Sequence, residues 1–206
     1  MILLWAVALG FFAGLTRAVV AKRRYQPPAL HHLWLVIVAY IPQLIAFVLP
    51  LTRKGFPDPW VPAFLVSSQL LLLVFAGLNI RASGMWLLGL GLALNFLVII
   101  LNGGMMPISP ETVNRLLPGV SPDLWHTGMR LGTGKDVVLQ QGATQLWFLS
   151  DRFVLPLIRN RVAFSIGDVL IALGAIWILW SAGGPGQQEQ RSKHHDSKNS
   201  GYTPQQ

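Results

Sequence analysis

Cysteine is absent from the 206 residues, which excludes disulfides, thiolate metal sites and cysteine nucleophiles. Charge is scarce as well. Asp, Glu, Lys and Arg make up 12% of the chain, against about 25% in a soluble domain. Catalytic signatures are missing too: no HExxH, no GxSxG and no complete P-loop occurs. The run Gly132-Thr133-Gly134-Lys135-Asp136 fails the P-loop pattern twice, at Met129 and at Asp136. What is present is apolar: 52% of the residues are hydrophobic.

A helix crossing a bilayer needs about 20 mostly apolar residues. Five segments approach that length, and the chain reads as an all-α integral membrane protein with spans at residues 1–21, 33–51, 61–80, 85–101 and 166–182. The first span lacks the basic leader of a signal peptide, and its charges follow the apolar run, so it reads as an uncleaved anchor. Residues 183–206 hold almost nothing apolar and read as a disordered polar tail. His194 and His195 in that tail are too few ligands for a metal site, and no cofactor motif is evident.

The net charge of +8 sits mainly beside the apolar runs. Anionic lipid headgroups are therefore the expected partner of Arg17, Lys22, Arg23 and Arg24, and nucleic acid is not. The bias of Lys and Arg among short loops sets orientation. Arg17 to Arg24, Arg81 and the tail's Arg191, Lys193 and Lys198 fall on one side. That places the N-terminus outside and the tail in the cytoplasm. Arg159 and Arg161 weigh weakly against this.

Residues 102–163 are too long for a plain connection and read as an external helical segment, partly interfacial. Ser109-Pro110-Glu111 and Ser121-Pro122-Asp123 each combine a serine N-cap, a proline at the first helical position and an acid in the first turn. Pro118-Gly119 ends the first of these helices and Gly132 the second. Thr133-Gly134-Lys135-Asp136 and Ser165-Ile166-Gly167-Asp168 have capping-box spacing. Residues 137–158 mix Val, Leu, Trp and Phe with three glutamines, Asp151 and Arg152, as an amphipathic helix lying on the membrane does. A sixth crossing there conflicts with Asp151, Arg152 and Pro156.

Within the spans, Gly10 and Gly14 form a GxxxG pair that lets helix backbones approach. Gly89 and Gly91 permit the same. Pro42 is expected to kink the second helix near Gln43. Gln43, Ser67, Ser68, Gln69, Asn79 and Asn95 must face protein or a cavity, with interhelical hydrogen bonds as their ordinary role. Trp5, Trp34, Trp60, Trp86, Trp177 and Trp180 lie near helix ends, at headgroup depth.

Two further elements stand out. Asn102-Gly103-Gly104-Met105-Met106-Pro107 ends the fourth helix in a polar, glycine-rich break, and Ser165-Ile166-Gly167-Asp168-Val169 starts the last one. In their order and spacing these resemble the bacterial multi-pass membrane family catalogued as domain of unknown function 5317, over nearly the whole chain to about Gly183. The resemblance implies a bacterial inner-membrane location and no assigned activity. Lys135-Asp136 departs from it, since a glycine directly before the aspartate is more usual there.

Any site belongs where the two elements converge: Asn102, Gly103, Gly104, Pro107 and Asp168. A glycine C-cap on one helix and a capping box on the other account for the same residues. The leading function is a non-enzymatic accessory or assembly component with a membrane-protein partner. A small-molecule transporter with a polar cavity among helices two to four is the alternative, resting on Pro42, Gln43, Gln69 and Asn95. An enzyme acting on a lipid phosphate comes third. It would use Arg130, Lys135, Arg159 and Arg161, with Asp136, Asp168 or His126 as base.

Overall fold

The computed structural model describes residues 2–48, 58–121, 124–157 and 161–184. The expected polar tail and the loop holding Arg53 and Lys54 lie outside the described residues, as do Pro122, Asp123 and Arg159. Among the described residues there are six α-helices: α1 (Ile2–Val20), α2 (Trp34–Gln43), α3 (Val61–Leu78), α4 (Met85–Leu101), α5 (Pro110–Leu116) and α6 (Ile166–Ser181). Two of them, α1 and α3, are long and apolar enough to cross a membrane by length and composition. The helices α2, α4 and α6 are apolar but shorter.

The five apolar helices stand side by side in the order α2–α3–α4–α6–α1. Glycine sets the spacing around α6. A Cβ on Gly10 would lie 2.8 Å from Ile176 Cα, and one on Gly14 would run into the Leu179 carbonyl oxygen. On the other side, Gly91 faces Gly167 and Ile171, while a Cβ on Gly174 would lie 2.5 Å from the Leu88 amide. Backbones therefore approach where side chains would hold them apart, and α6 packs parallel to α1 and antiparallel to α4. Gly89 is looser, facing the Ala76 side chain across the α3–α4 contact.

Pro42 acts one residue before the end of α2. From Leu44 to Val48 the helix continues with π geometry. Proline carries no N–H and crowds the preceding turn, so the hydrogen-bond ladder is shifted there. Ser68 Oγ on α3 donates to the Ala39 carbonyl (2.6 Å) beside the break and accepts from Gln43 Nε2 (2.6 Å).

The segment after α4 corrects the expectation of a helical connection. It holds one short helix, α5, started by Ser109 as N-cap with Pro110 and Glu111 behind it. Among the described residues the rest is irregular or extended, apart from short 3-10 turns at Gln141–Ala143 and Trp147–Leu149. Strand β1 (Met106–Ile108) pairs in parallel with β2 (Asp136–Val138), and β3 (Phe153–Pro156) forms an antiparallel hairpin with β4 (Arg161–Phe164). The described part of residues 137–158, up to residue 157, is thus not an amphipathic helix, and Thr133 to Asp136 is not a capping box. Residues 124–135 contain turns, so Gly132 ends no helix.

The physical reason is non-local pairing. Val137 and Val138 are β-branched and suit a pleated surface. Both edges of β2 also find partners: β1 on one side and Arg130 on the other, while Asp151 bridges to the far edge of β1 at Ile108. This small sheet buries Ile108 and Val138 against Val113 of α5.

Candidate functional site

The break after α4 is a helix stop built on left-handed backbone. Gly103 and Gly104 have φ of +77° and +82°, which only glycine adopts without strain. The Gly104 amide donates back to the Ile99 carbonyl at 2.8 Å, the long-range bond of a Schellman stop. Gly104 is also crowded by Pro62, whereas nothing lies within 4 Å of a Cβ on Gly103.

Asn102 is the C-cap of α4. Its Nδ2 donates to the Val98 carbonyl (2.8 Å) and the Gln145 carbonyl (2.9 Å), and its Oδ1 accepts from the Gln145 amide (2.9 Å). One side chain thereby brackets both backbone groups of a residue far along the chain. Asn79, the C-cap of α3 at the other end of the row, does the same to His31: it accepts the amide (2.6 Å) and donates to the carbonyl (2.9 Å).

Asp168 occupies the capping box of α6. Its amide donates to Ser165 Oγ at 3.0 Å, and its Oδ2 accepts from the Ser165 amide at 3.1 Å. Both of its oxygens are engaged, because Oδ1 accepts from Asn95 Nδ2 at 2.9 Å. Ser165 Oγ in turn donates to Asn95 Oδ1 at 2.9 Å. Asn95 is buried in α4, so it ties that helix to the first turn of α6. Among the described residues no hydrogen bond joins Asn102 to Asp168. The two halves of the sequence-derived site sit at one end of the helix row without touching.

Pro107 leads to what lies between them. It is fully buried in β1, and its carbonyl accepts from the Asp151 amide at 3.2 Å. Asp151 itself is 1% exposed, and its Oδ2 receives Lys135 Nζ at 2.6 Å. Asp136 Oδ1 lies 3.4 Å from the same nitrogen, within ion-pair reach but without a hydrogen bond. Asp151 Oδ1 has no hydrogen-bond partner either.

One cation thus faces several carboxylates. Burial works against the Lys135 ammonium, yet Asp151, Asp136 and Asp168 together outweigh it and hold the amine charged well above its ordinary range. Burial pushes the Asp151 carboxyl up to about 7; Lys135 opposes the rise and the negative charges of Asp136 and Asp168 reinforce it. The two directions fit one picture: Lys135 keeps its proton, and the surplus negative charge is relieved by a proton on Asp151.

The cluster is ion-paired but not saturated, since Asp136 Oδ1 and Asp151 Oδ1 accept no hydrogen bond among the described residues. Among the described residues no three His, Cys, Asp or Glu side chains come together at metal-ligand spacing, and Lys135 supplies the positive charge in the cluster. Two other basic residues considered for a lipid-phosphate site, Arg130 and Arg161, donate to backbone. Arg130 Nε and Nη2 donate to the Gly134 and Thr133 carbonyls, and Arg161 donates to the Arg115 carbonyl.

Sequence reasoning placed Asn102, Gly103, Gly104, Pro107 and Asp168 but missed Asp151 and the Asn95 link. A signal for Asp151 existed: it is the sole acid between residues 137 and 167, and an acid in so apolar a stretch demands a partner.

The family model described as "Family of unknown function (DUF5317)" matches residues 28–180, about three quarters of the chain. The chain belongs to this family. Both polar elements, the cluster around Lys135 and helices α2 to α5 fall inside the DUF5317 match, and α6 does so up to its last residue. The match starts after α1, so Gly10 and Gly14, which pack that helix on α6, lie outside it. No curated protein matches the chain, and no solved structure matches it.

Proposed function

We propose that this DUF5317 protein is an integral membrane protein of the bacterial inner membrane that works without catalysis, as an accessory or assembly component for another membrane protein. The observation that supports it most is the apolar exterior of the helix row. Phe12 is 65% exposed, Ile37 67%, Leu70 51%, Ile100 49% and Leu173 48%. These positions span all five helices, whereas soluble monomers rarely expose contiguous apolar patches beyond a few hundred Å². Hydrocarbon around the row would cover them.

The accessory role is supported by the two sequence-derived polar elements, where each oxygen of Asp168 and both polar atoms of the Asn102 amide are engaged within the chain. For the transporter alternative, Gln43 and Ser68 bond to each other and to the Ala39 carbonyl, which leaves Gln69 of α3, whose buried Oε1 has no partner among the described residues, as its remaining polar group there.

Alkaline carbonate washing of a membrane fraction tests the first part. The protein should stay in the pellet and leave only with detergent; release by carbonate alone would refute membrane integration. Cross-linking of the solubilised protein tests the second, and recovery with no membrane-protein partner would refute the accessory role. Orientation can be read cleanly because the chain has no cysteine. A Ser83→Cys variant should label only from the cytoplasm and Thr144→Cys only from outside; the opposite pattern reverses the topology.

A further inference from the structure

At the end of the helix row opposite Asp168, the chain encloses a cavity of about 650 Å³, within the usual range of about 300–1,000 Å³ for small-molecule sites. Its walls come from the end of α1, residues 26–31, the α3–α4 turn and the end of α6. Arg17 and Arg81 both line it. The Arg17 guanidinium stacks 4.0 Å above the Trp180 ring and donates one N–H to the Trp180 carbonyl at 3.4 Å. Its remaining donors have no partner among the described residues. Arg81 is exposed and has none either.

Among the described residues the charge at this end has one sign. Arg17, Lys22, Arg23, Arg24 and Arg81 gather there, and the chain contains no acid at all before Asp58. Asp58 and the other described acids, Glu111, Asp136, Asp151 and Asp168, belong to segments at the opposite end of the row. The wall facing Arg81 is held in place by Asn79, whose amide brackets the backbone of His31.

We infer that this cavity is a binding site for an anionic phosphate group, held between the guanidinium groups of Arg17 and Arg81. Planar guanidinium forks match phosphate oxygens in pairs. Arg17 is already oriented by its ring contact, so little side-chain freedom is lost on binding. Trp86, near the start of α4, and Trp177, near the end of α6, belong to the same end of the row as the cavity, and their rings meet edge to face at 6.0 Å. An anionic lipid headgroup and a free phosphate therefore present the same chemistry to it. The site goes beyond the accessory role proposed above, and only its lipid form rests on membrane integration, which the carbonate wash decides separately.

The test is calorimetric titration of the full chain in a neutral detergent. The probes are short-chain phosphatidylglycerol, a diacylglycerol of the same chains lacking phosphate, and inorganic phosphate. At about 0.3 M NaCl the Debye length is roughly 6 Å, so diffuse attraction is suppressed. Phosphatidylglycerol is expected to bind and diacylglycerol not. Competition by inorganic phosphate identifies a free phosphate as sufficient ligand, and lack of competition identifies the lipid headgroup.

Substituting R17Q and R81Q together should weaken binding about a hundredfold, about tenfold for each charge-assisted contact. The control pair K22Q and R24Q removes equal charge outside the cavity and should change it by less than about threefold at that salt. If both pairs weaken binding alike, the attraction is diffuse and the site is refuted. Equal binding of diacylglycerol, or no binding of either phosphate probe, also overturns it. R81Q alone changes an exposed side chain that bonds to nothing among the described residues, so its tenfold loss remains decisive if the double variant misfolds.

Discussion

Asp151→Asn puts the charge cluster to its sharpest test, because it keeps the side chain's volume and removes its ability to ionise. The Asp151 carboxyl is pushed from its ordinary 3.8 up to about 7 in the fold, first by burial. The folded state therefore holds a proton that the unfolded chain releases, and stability falls as pH rises from about 4 through 7. At 1% exposure solvent screens little of this. Worked from those two values, the loss between pH 5 and pH 7 is about 2 kcal/mol. For a chain of this size that corresponds to a drop of roughly 4–8 °C in Tm. Lys135 adds no slope in this window, since it stays protonated in both states.

Thermal unfolding of the detergent-solubilised protein, followed by intrinsic tryptophan fluorescence across pH 5 to 8, reads the effect directly. Wild type should lose stability with rising pH, and Asp151→Asn should be nearly flat. At pH 7 the variant should equal or exceed wild type, because it reproduces the protonated side chain while Asp136 remains near Lys135. Two results would refute the reasoning. One is a slope that persists in the variant. The other is a variant some 3–5 kcal/mol less stable at pH 7, the cost of removing the charged half of a buried ion pair.

Other substitutions separate packing from backbone geometry. Gly103→Ala should cost about 1 kcal/mol for its left-handed backbone alone, and Gly104→Ala distinctly more because its Cβ would also meet Pro62; equal unfolding midpoints would contradict this. Gly14→Val should separate α1 from α6 at the Leu179 carbonyl and cost at least about 2 kcal/mol, seen as a fall in Tm that a solvent-facing substitution in α1 does not cause. Asn102→Ala releases the bracket on Gln145, so proteolytic nicking within residues 139–147 should accelerate about tenfold, as expected for losing hydrogen bonds worth at least 1.4 kcal/mol; an unchanged rate would show that the loop is held elsewhere.

Much of the helical part was legible because its signals are local. Spans of apolar residues, the serine caps at 109 and 165 and the glycines after Asn102 act within a turn or two of chain. Ser165 and Asp168 cap each other as their spacing predicts. The polar segment was not legible for the opposite reason. The pairing of Asp136 with Met106 joins residues thirty positions apart, and a three-residue strand leaves no periodicity to read. Local helical cues at Thr133 and along residues 137–149 lost to backbone partners supplied from elsewhere. Asp151 shows the same limit at the candidate site: its isolation in the sequence was visible, but its partner Lys135 lies sixteen residues before it.

The two ends of the molecule differ in how their charge imbalance can be relieved. At the Asp168 end, one lysine faces three carboxylates in a place where Asp151 is cut off from solvent, so a proton is the smallest counter-charge that fits. At the Arg17 end the surplus is positive and accessible, and an anion from outside can neutralise it. These modes respond to different variables. Raising ionic strength should weaken anion binding at Arg17 and Arg81, since partly exposed charges are screened, while leaving the pH transition of Asp151 nearly in place. Measured on one preparation, a salt-sensitive binding constant beside a salt-insensitive unfolding transition between pH 5 and 8 would place the two imbalances at separate ends. A pH transition that moved with salt as strongly as binding did would mean that Asp151 senses the solvent, and that the cluster is open.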